Sequence, residues 1–232
     1  MKAVTFSYDD AVTQDQRLIE ILNRYGLRGT FNINSEKLGT GGPLIRENVT
    51  IAHVKPRREE IAKIYLGHEV AAHTLTHPLL IDLSDEEVIR EVEEDRKNLS
   101  EIVGYEVVGM AYPCGGVNND DRVAAVIKEN TGIKYSRTIT STFSFAPQSN
   151  LYRFNPTVHH SEAIADSFKL VRDFIDRKPE SPEILYIWGH SYEFDIDNSW
   201  AAFEELCKLI SGRDDIFYGT NKEILLSEGP WE

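Results

Sequence analysis

Met1-Lys2-Ala3-Val4-Thr5-Phe6-Ser7-Tyr8-Asp9-Asp10 is a short run of strand-forming residues that ends in two adjacent carboxylates. Residues 3–8 read as a core strand, because Val, Thr, Phe and Tyr fit a pleated, half-buried surface. A strand that runs straight into Asp9 and Asp10 delivers both acids to the loop at its C-terminal end. In a parallel barrel that end is the face where catalytic groups gather. Taken alone, the acidic pair equally suits a turn or a helix cap, where Asp is common.

The same pattern repeats outward along the chain. Apolar runs at residues 28–34, 69–73, 107–112, 135–138, 151–154, 184–189 and 215–218 alternate with helical periodicity at 14–25, 57–66, 85–103, 120–130, 161–177 and 199–210. This alternation predicts β-α units around a parallel sheet or barrel. Ser84 and Glu87 have the spacing of a capping box, and the helix that follows should be the longest. Gly39-Thr40-Gly41-Gly42-Pro43 and the residues after it lack a clean period and predict a loop, as do residues 140–150. No repeat or linker divides the 232 residues, so one domain spanning 1–232 is expected.

Hydrophobic residues at 41% and charged residues at 27% fit a globular chain and exclude a disordered or collagen-like one. A net charge of -13 opposes phosphate backbones and anionic lipid surfaces, so neither nucleic acid nor membrane is an expected partner. Cys114 and Cys207 are too few and too far apart for a disulfide framework or a cysteine zinc site, and they suit a reducing compartment. No signal-like segment precedes the first strand, and no apolar run nears the ~18–20 residues of a membrane span. A cytoplasmic location is therefore expected.

Three further strand ends carry chemistry. His73-Thr74-Leu75-Thr76-His77 places two imidazoles four residues apart. With one carboxylate they make a His₂-carboxylate set that leaves positions open, the arrangement of a catalytic metal site. Ala111-Tyr112-Pro113-Cys114-Gly115-Gly116 closes another strand with turn-forming residues, where a backbone amide can be left facing a ligand. Leu185-Tyr186-Ile187-Trp188-Gly189-His190 brings His190 to the end of a buried strand, where it can titrate near neutrality and act as a general acid. Trp188 is a candidate pocket wall, and Glu193 a candidate partner for His190 or for substrate. Each motif alone also has a structural reading: a turn, a core aromatic or a solvated acid.

Together these motifs resemble the polysaccharide deacetylase or NodB-homology family, carbohydrate esterase family four, over nearly the whole chain. The resemblance implies an irregular (β/α) barrel of about seven strands. It makes Asp9 the general base, Asp10, His73 and His77 the ligands of one divalent ion, and His190 the general acid. His73, Thr74 and His77 meet the second family motif unchanged. The third motif usually carries an Arg that orients the base, and here Ala111 stands in its place. Tyr112, Pro113 and Cys114 follow it as candidate substrate or oxyanion residues, and Arg153 is the candidate replacement cation. The acidic, Trp-containing fourth motif is missing. Tyr152-Arg153-Phe154-Asn155-Pro156 stands near its place, with His159 and His160 downstream.

The activity implied is metal-dependent removal of an acyl group, acetyl first, from an N-acylated sugar, an oligosaccharide or a related small amide. Zinc suits the ligands, and cobalt, nickel or manganese can occupy similar ones. Two alternatives stand beside this reading: a ureide or small-amide hydrolase of the same superfamily, and a noncatalytic carbohydrate-binding barrel that kept the fold after losing the Arg. The sequence carries no signal for the oligomeric state.

Overall fold

The computed structural model describes residues 1–46 and 48–228. In chain order the elements are β1 (Lys2–Asp9), α1 (Asp15–Arg24), β2 (Gly29–Ile33), β3 (Gly41–Arg46), β4 (Val49–Val54), α2 (Ile61–Ile64), β5 (Glu69–Ala72), α3 (Asp85–Val103), β6 (Gly109–Ala111) and α4 (Asp121–Asn130). There follow β7 (Tyr135–Arg137), β8 (Val158–His159), α5 (His160–Ala165), α6 (Lys169–Asp176), β9 (Glu183–Gly189), α7 (Glu193–Ile196), α8 (Trp200–Ile210), β10 (Ile216–Tyr218) and α9 (Asn221–Leu225).

Seven strands form one curled parallel sheet in the order β7-β6-β5-β2-β1-β9-β8. β10 adds to β1 at Lys2–Val4, while β2 pairs with the later residues Phe6–Asp9 of the same strand. One stretch of chain links the two edges of the sheet. Phe154 bridges to Arg137 of β7, and its amide donates to the Ser136 carbonyl over 2.9 Å. Three residues later the Thr157 amide donates to Tyr186 of β9, 2.9 Å away. The result is a parallel barrel, as the β-α alternation predicts, with the irregular seven-strand form that the family resemblance implies.

The alternation along β1 separates two environments. Val4, Phe6 and Tyr8 enter the main apolar core between sheet and helices. Thr5, Ser7 and Asp9 face the hollow of the curl, where they meet polar groups. Thr5 donates to Asn221 over 2.8 Å, and Ser7 accepts from Asn32 and Arg137 at 2.9 and 3.2 Å. Glu69 of β5 takes hydrogen bonds from Thr30 at 2.8 Å and Tyr135 at 2.9 Å. The interior is thus a hydrogen-bonded polar column, which is why Thr5, Ser7 and Asp9 are buried although polar.

The helix over residues 85–103 has the boundaries expected. Ser84 caps it, Glu87 completes the capping box, and Gly104 ends it in the left-handed conformation that glycine adopts without strain. Four expectations need correction. The region read as a loop after Gly39 is the β3-β4 hairpin, whose tight entry excludes a side chain: a Cβ on Gly41 would lie 2.4 Å from the His53 carbonyl oxygen. Residues 151–154 are not a strand but a 3-10 turn, Leu151–Arg153, which the Asn150 side chain starts by accepting the Tyr152 amide. The helix read over 161–177 breaks at Ser167 and Phe168, both with positive φ, and restarts where Asp166 accepts the amides of Lys169 and Leu170. The helix read over 57–66 is a 3-10 turn followed by α2. Among the described residues no helix is long and apolar enough to cross a membrane.

Candidate active site at the C-terminal ends of the strands

The loops after β1, β5, β6 and β9 meet at one end of the barrel. Asp10, Ala11, Thr74, His77 and Cys114, all just beyond strand ends, have positive φ between 49° and 80°. For residues with a Cβ such backbone is strained, and such strain clusters at functional sites. Surrounding contacts hold it. Thr74 accepts the His77 amide at 3.1 Å, and Asn34 donates to the Thr74 carbonyl at 3.0 Å. Buried Asp95 of α3 accepts the His73 amide at 3.0 Å.

Ligand atoms of Asp10, His73 and His77 all lie within 4.8 Å of one another. The Nδ1 atom of His73 is 2.9 Å from the Ala111 carbonyl oxygen, so its proton sits there and Nε2 keeps its lone pair. Burial pushes the His77 pKa down to about 4, with the neighbouring His73 adding to it. Burial lowers the His73 pKa as well, so both rings are held toward the neutral form that binds metal. For Asp10, burial works to raise the pKa. Contact with His53, the charge of His190 and the Lys55 ammonium outweigh it and hold the acid well below its usual range. The donor set, two neutral imidazoles and an ionised carboxylate, fits a divalent transition metal.

Asp9 is not part of that group. Both of its carboxylate oxygens lie 2.5 Å from Nη2 of Arg137, and Asn32 donates to it at 2.8 Å. Burial acts to raise its pKa, but Arg137, His73 and His190 prevail and leave it lowered. The Arg137 guanidinium is wholly buried and lies 4.5 Å from the centre of the Trp188 ring. Across the site, His190 Nδ1 is 3.2 Å from Glu193. Burial pulls the His190 pKa down, yet the Glu193 contact and charge, with Asp9 and Asp10 beyond, raise it to about 9.

These groups line a cavity of about 320 Å³ with Asp9, Asp10, His73, His77, Tyr112, Cys114, Trp188 and His190 in its wall. Of the other residues singled out in the sequence, Pro113 is not in the wall, its carbonyl accepting from Asn118 at 3.0 Å. Glu193 stands behind His190. Arg153 does not replace the missing cation: it points away to Asn119 at 2.8 Å and Asp121 at 2.5 Å, because the turn at 151–153 carries it outward. The cation beside Asp9 is Arg137. A signal for it exists in the sequence, since an Arg two residues after Tyr135 on a buried strand must face the same inner side as that Tyr. The β3-β4 hairpin and the residues after it were also missed as contributors. They bring Arg46 to the cavity wall, His53 to 3.6 Å from Asp10, and Lys55 to the Asp10 carbonyl and carboxylate.

A family model described as polysaccharide deacetylase matches residues 1–135. No curated protein matches the chain. Among solved structures, the peptidoglycan deacetylase PdaC from Bacillus subtilis is 18% identical with a TM-score of 0.54, and the match covers 97% of this chain and 90% of that one. A family 4 carbohydrate esterase from Streptomyces lividans in complex with acetate is 14% identical, TM-score 0.54, over 90% of this chain and 87% of that one. The deacetylase PplD from Streptococcus pyogenes, in complex with acetate, is 19% identical with a TM-score of 0.51. That match covers 64% of this chain and only 61% of PplD, under two thirds of its length. At these identities the likeness shows the fold.

Proposed function

The chain belongs to the polysaccharide deacetylase family, and from that premise we propose that it is a divalent-metal-dependent hydrolase that removes an acetyl or similar acyl group from an amide nitrogen. One observation carries the reading: a neutral-imidazole and carboxylate trio, a second ionised carboxylate and a proton-bearing histidine surround one cavity. Mere sugar binding needs no such combination, which argues against the noncatalytic barrel.

In this reading Asp10, His73 and His77 hold the ion. When bound, it supplies Lewis acidity toward the acyl carbonyl and lowers the pKa of water. Zinc suits the donors, with cobalt, nickel or manganese as substitutes. Asp9 takes the proton of the attacking water. Arg137 and Asn32 keep it ionised and aimed, the task assigned in the wider family to an Arg at the position of Ala111. His190, protonated at neutral pH, gives its Nε2 proton to the departing nitrogen, which otherwise leaves as a poor anion. Cys114, with its left-handed backbone, lies at the oxyanion side, and Trp188 walls the cavity. We take the chain to act as one catalytic domain.

About 320 Å³ is near the lower end of ligand pockets, which span roughly 300–1,000 Å³. It suits one N-acylated sugar unit or a small amide, and this keeps the ureide or small-amide hydrolase as a second reading. Both cysteines are free thiols, which agrees with a cytoplasmic location. The test is a release assay over N-acetylated monosaccharides, N-acetylglucosamine oligomers, small N-acetyl amides and ureides. Acetate from the N-acetyl compounds supports the proposal, hydrolytic loss of the ureides followed by NMR favours the second reading, and binding without turnover of either would overturn both.

A further inference from the structure

Glu193, the partner of His190, is itself ringed by two more imidazoles. His159 and His160 follow one another where β8 hands over to α5, and their Nε2 atoms lie 3.2 and 3.3 Å from Glu193 Oε2. His190 reaches the same carboxylate twice, through its amide at 3.0 Å and through Nδ1 at 3.2 Å. Three imidazoles and one backbone amide thus surround one acid.

The tautomer of His159 follows from its neighbours. It is the N-cap of α5, and its Nδ1 accepts the Ser161 amide at 3.3 Å with the Ser161 hydroxyl 2.7 Å away. A cap of this kind requires a lone pair on Nδ1, so the ring proton of the neutral form sits on Nε2 and faces Glu193. His160 is wholly buried between Tyr8 and Phe194, with ring centres 5.7 and 4.3 Å away. Its place is fixed from outside: a Cβ on Gly189 would lie 2.1 Å from its Nδ1. Its Nε2 approaches Glu193 off the line of a full hydrogen bond, closing the fourth side. Ligand atoms of His159, His160 and Glu193 also lie within 4.8 Å of one another, as in a metal site, but a protonated Nε2 on His159 has no lone pair to give a metal.

We propose that His159, backed by His160, is a positioning residue for the acid: its Nε2 proton holds the Glu193 carboxylate, and that carboxylate holds the Nδ1 proton of His190 so that Nε2 is left to the cavity. This rests on the acid role of His190 proposed above. The charged and titratable groups around His190 are Glu193 on α7, Asp9 and Asp10 at the end of β1, His159 and His160 at β8 and α5, and Tyr192 beside it. Arg137 lies under Trp188 and Arg46 over Tyr192, the two rings that flank His190. Among them Glu193 makes the direct contact. Without the His159 contact the carboxylate is held by His190 alone and can turn from Nδ1, and His190 then falls back toward an ordinary histidine.

The two amide side chains separate the roles of the two ring nitrogens. His159→Asn keeps an acceptor at the Nδ1 position, which preserves the helix cap, and loses the Nε2 donor. His159→Gln keeps a donor near Nε2 and loses the cap. The measurement is a side-chain ¹⁵N NMR titration of His190 in the full chain at constant metal content, which needs no turnover and so stands or falls apart from the hydrolase reading. The Asn variant should titrate at least about one pH unit lower than the parent, because loss of a neighbouring charge contact shifts a pKa by roughly 1–3 units. The Gln variant should stay near the parent. His159→Ser, a second cap without the donor, must follow Asn. A parental midpoint in the Asn and Ser variants, or an equal shift in the Gln variant, overturns the proposal. So does loss of a second bound metal equivalent on His159→Asn, which would make the trio a metal site.

Discussion

Replacing Arg137 by Met should leave Asp9 as an unpaired charge in the barrel, with a destabilisation that depends on pH. Arg137 is fully buried and Asp9 is 2% exposed. Once the guanidinium is gone, Asn32 is the one side chain still seen donating to the carboxylate among the described residues. Breaking a buried pair by removing one partner costs about 3–5 kcal/mol. The sign with pH follows from the same groups. In the parent the Asp9 pKa is lowered, so its contribution is present above the unfolded value near 3.8 and is lost as pH falls through the folded value. In the variant, burial is no longer opposed by Arg137 and the folded pKa rises above the unfolded one. Protonation then relieves the penalty as the solution is made acid. Urea unfolding of metal-free protein should therefore show a loss of about 3–5 kcal/mol at pH 7.5 and a clearly smaller loss at pH 5. Adding Asp9→Leu to Arg137→Met should recover stability at pH 7.5, since the orphaned charge is removed. Equal losses at both pH values, or a loss under about 1 kcal/mol at pH 7.5, would refute the view of Arg137 as the buried counter-ion of Asp9.

Two further outcomes follow from the same geometry. His190→Ala should keep its metal and lose the alkaline limb of the pH profile, which in the parent lies near the His190 pKa of about 9. Its turnover of an unactivated amide should fall on the order of 10²–10⁴-fold and that of an activated aryl ester by less, and equal losses on the two substrates would remove the acid role. Gly189→Ala should cost about 1–3 kcal/mol in thermal unfolding, because the new methyl meets the boxed ring of His160; a parental melting temperature would mean that His160 moves freely.

The parts of the site that were legible in the sequence are those in which an apolar strand runs directly into its functional residue. β1 into Asp9 and Asp10, β5 into His73 and β9 into His190 are of this kind, and the helix after Ser84 announces its own cap. What escaped was non-local. Nothing near Arg137 marks its partner, which lies 128 residues away on β1, and the pairing exists only because the sheet curls β7 round toward β1. Arg153 stands out in the sequence because it lies on the apolar run at 151–154, read as a strand end, but that run is a 3-10 turn that aims it outward. The hairpin escaped because its glycines and Pro43 disguise a strand whose alternation is set by packing at Leu44 and Ile51 rather than by propensity. His159 and His160 were visible as residues, but their common partner Glu193 is more than thirty residues further on.

The central claim is that Asp10, His73 and His77 hold one ion that the hydrolysis requires. It is tested most directly by titrating zinc into chelated protein while acetate release from N-acetylglucosamine oligomers is followed. Release should be absent without metal, rise in proportion to zinc up to one equivalent per chain, and remain absent at every zinc level in His73→Ala/His77→Ala. Metal-independent release, or full activity of the double variant after zinc addition, would contradict the account.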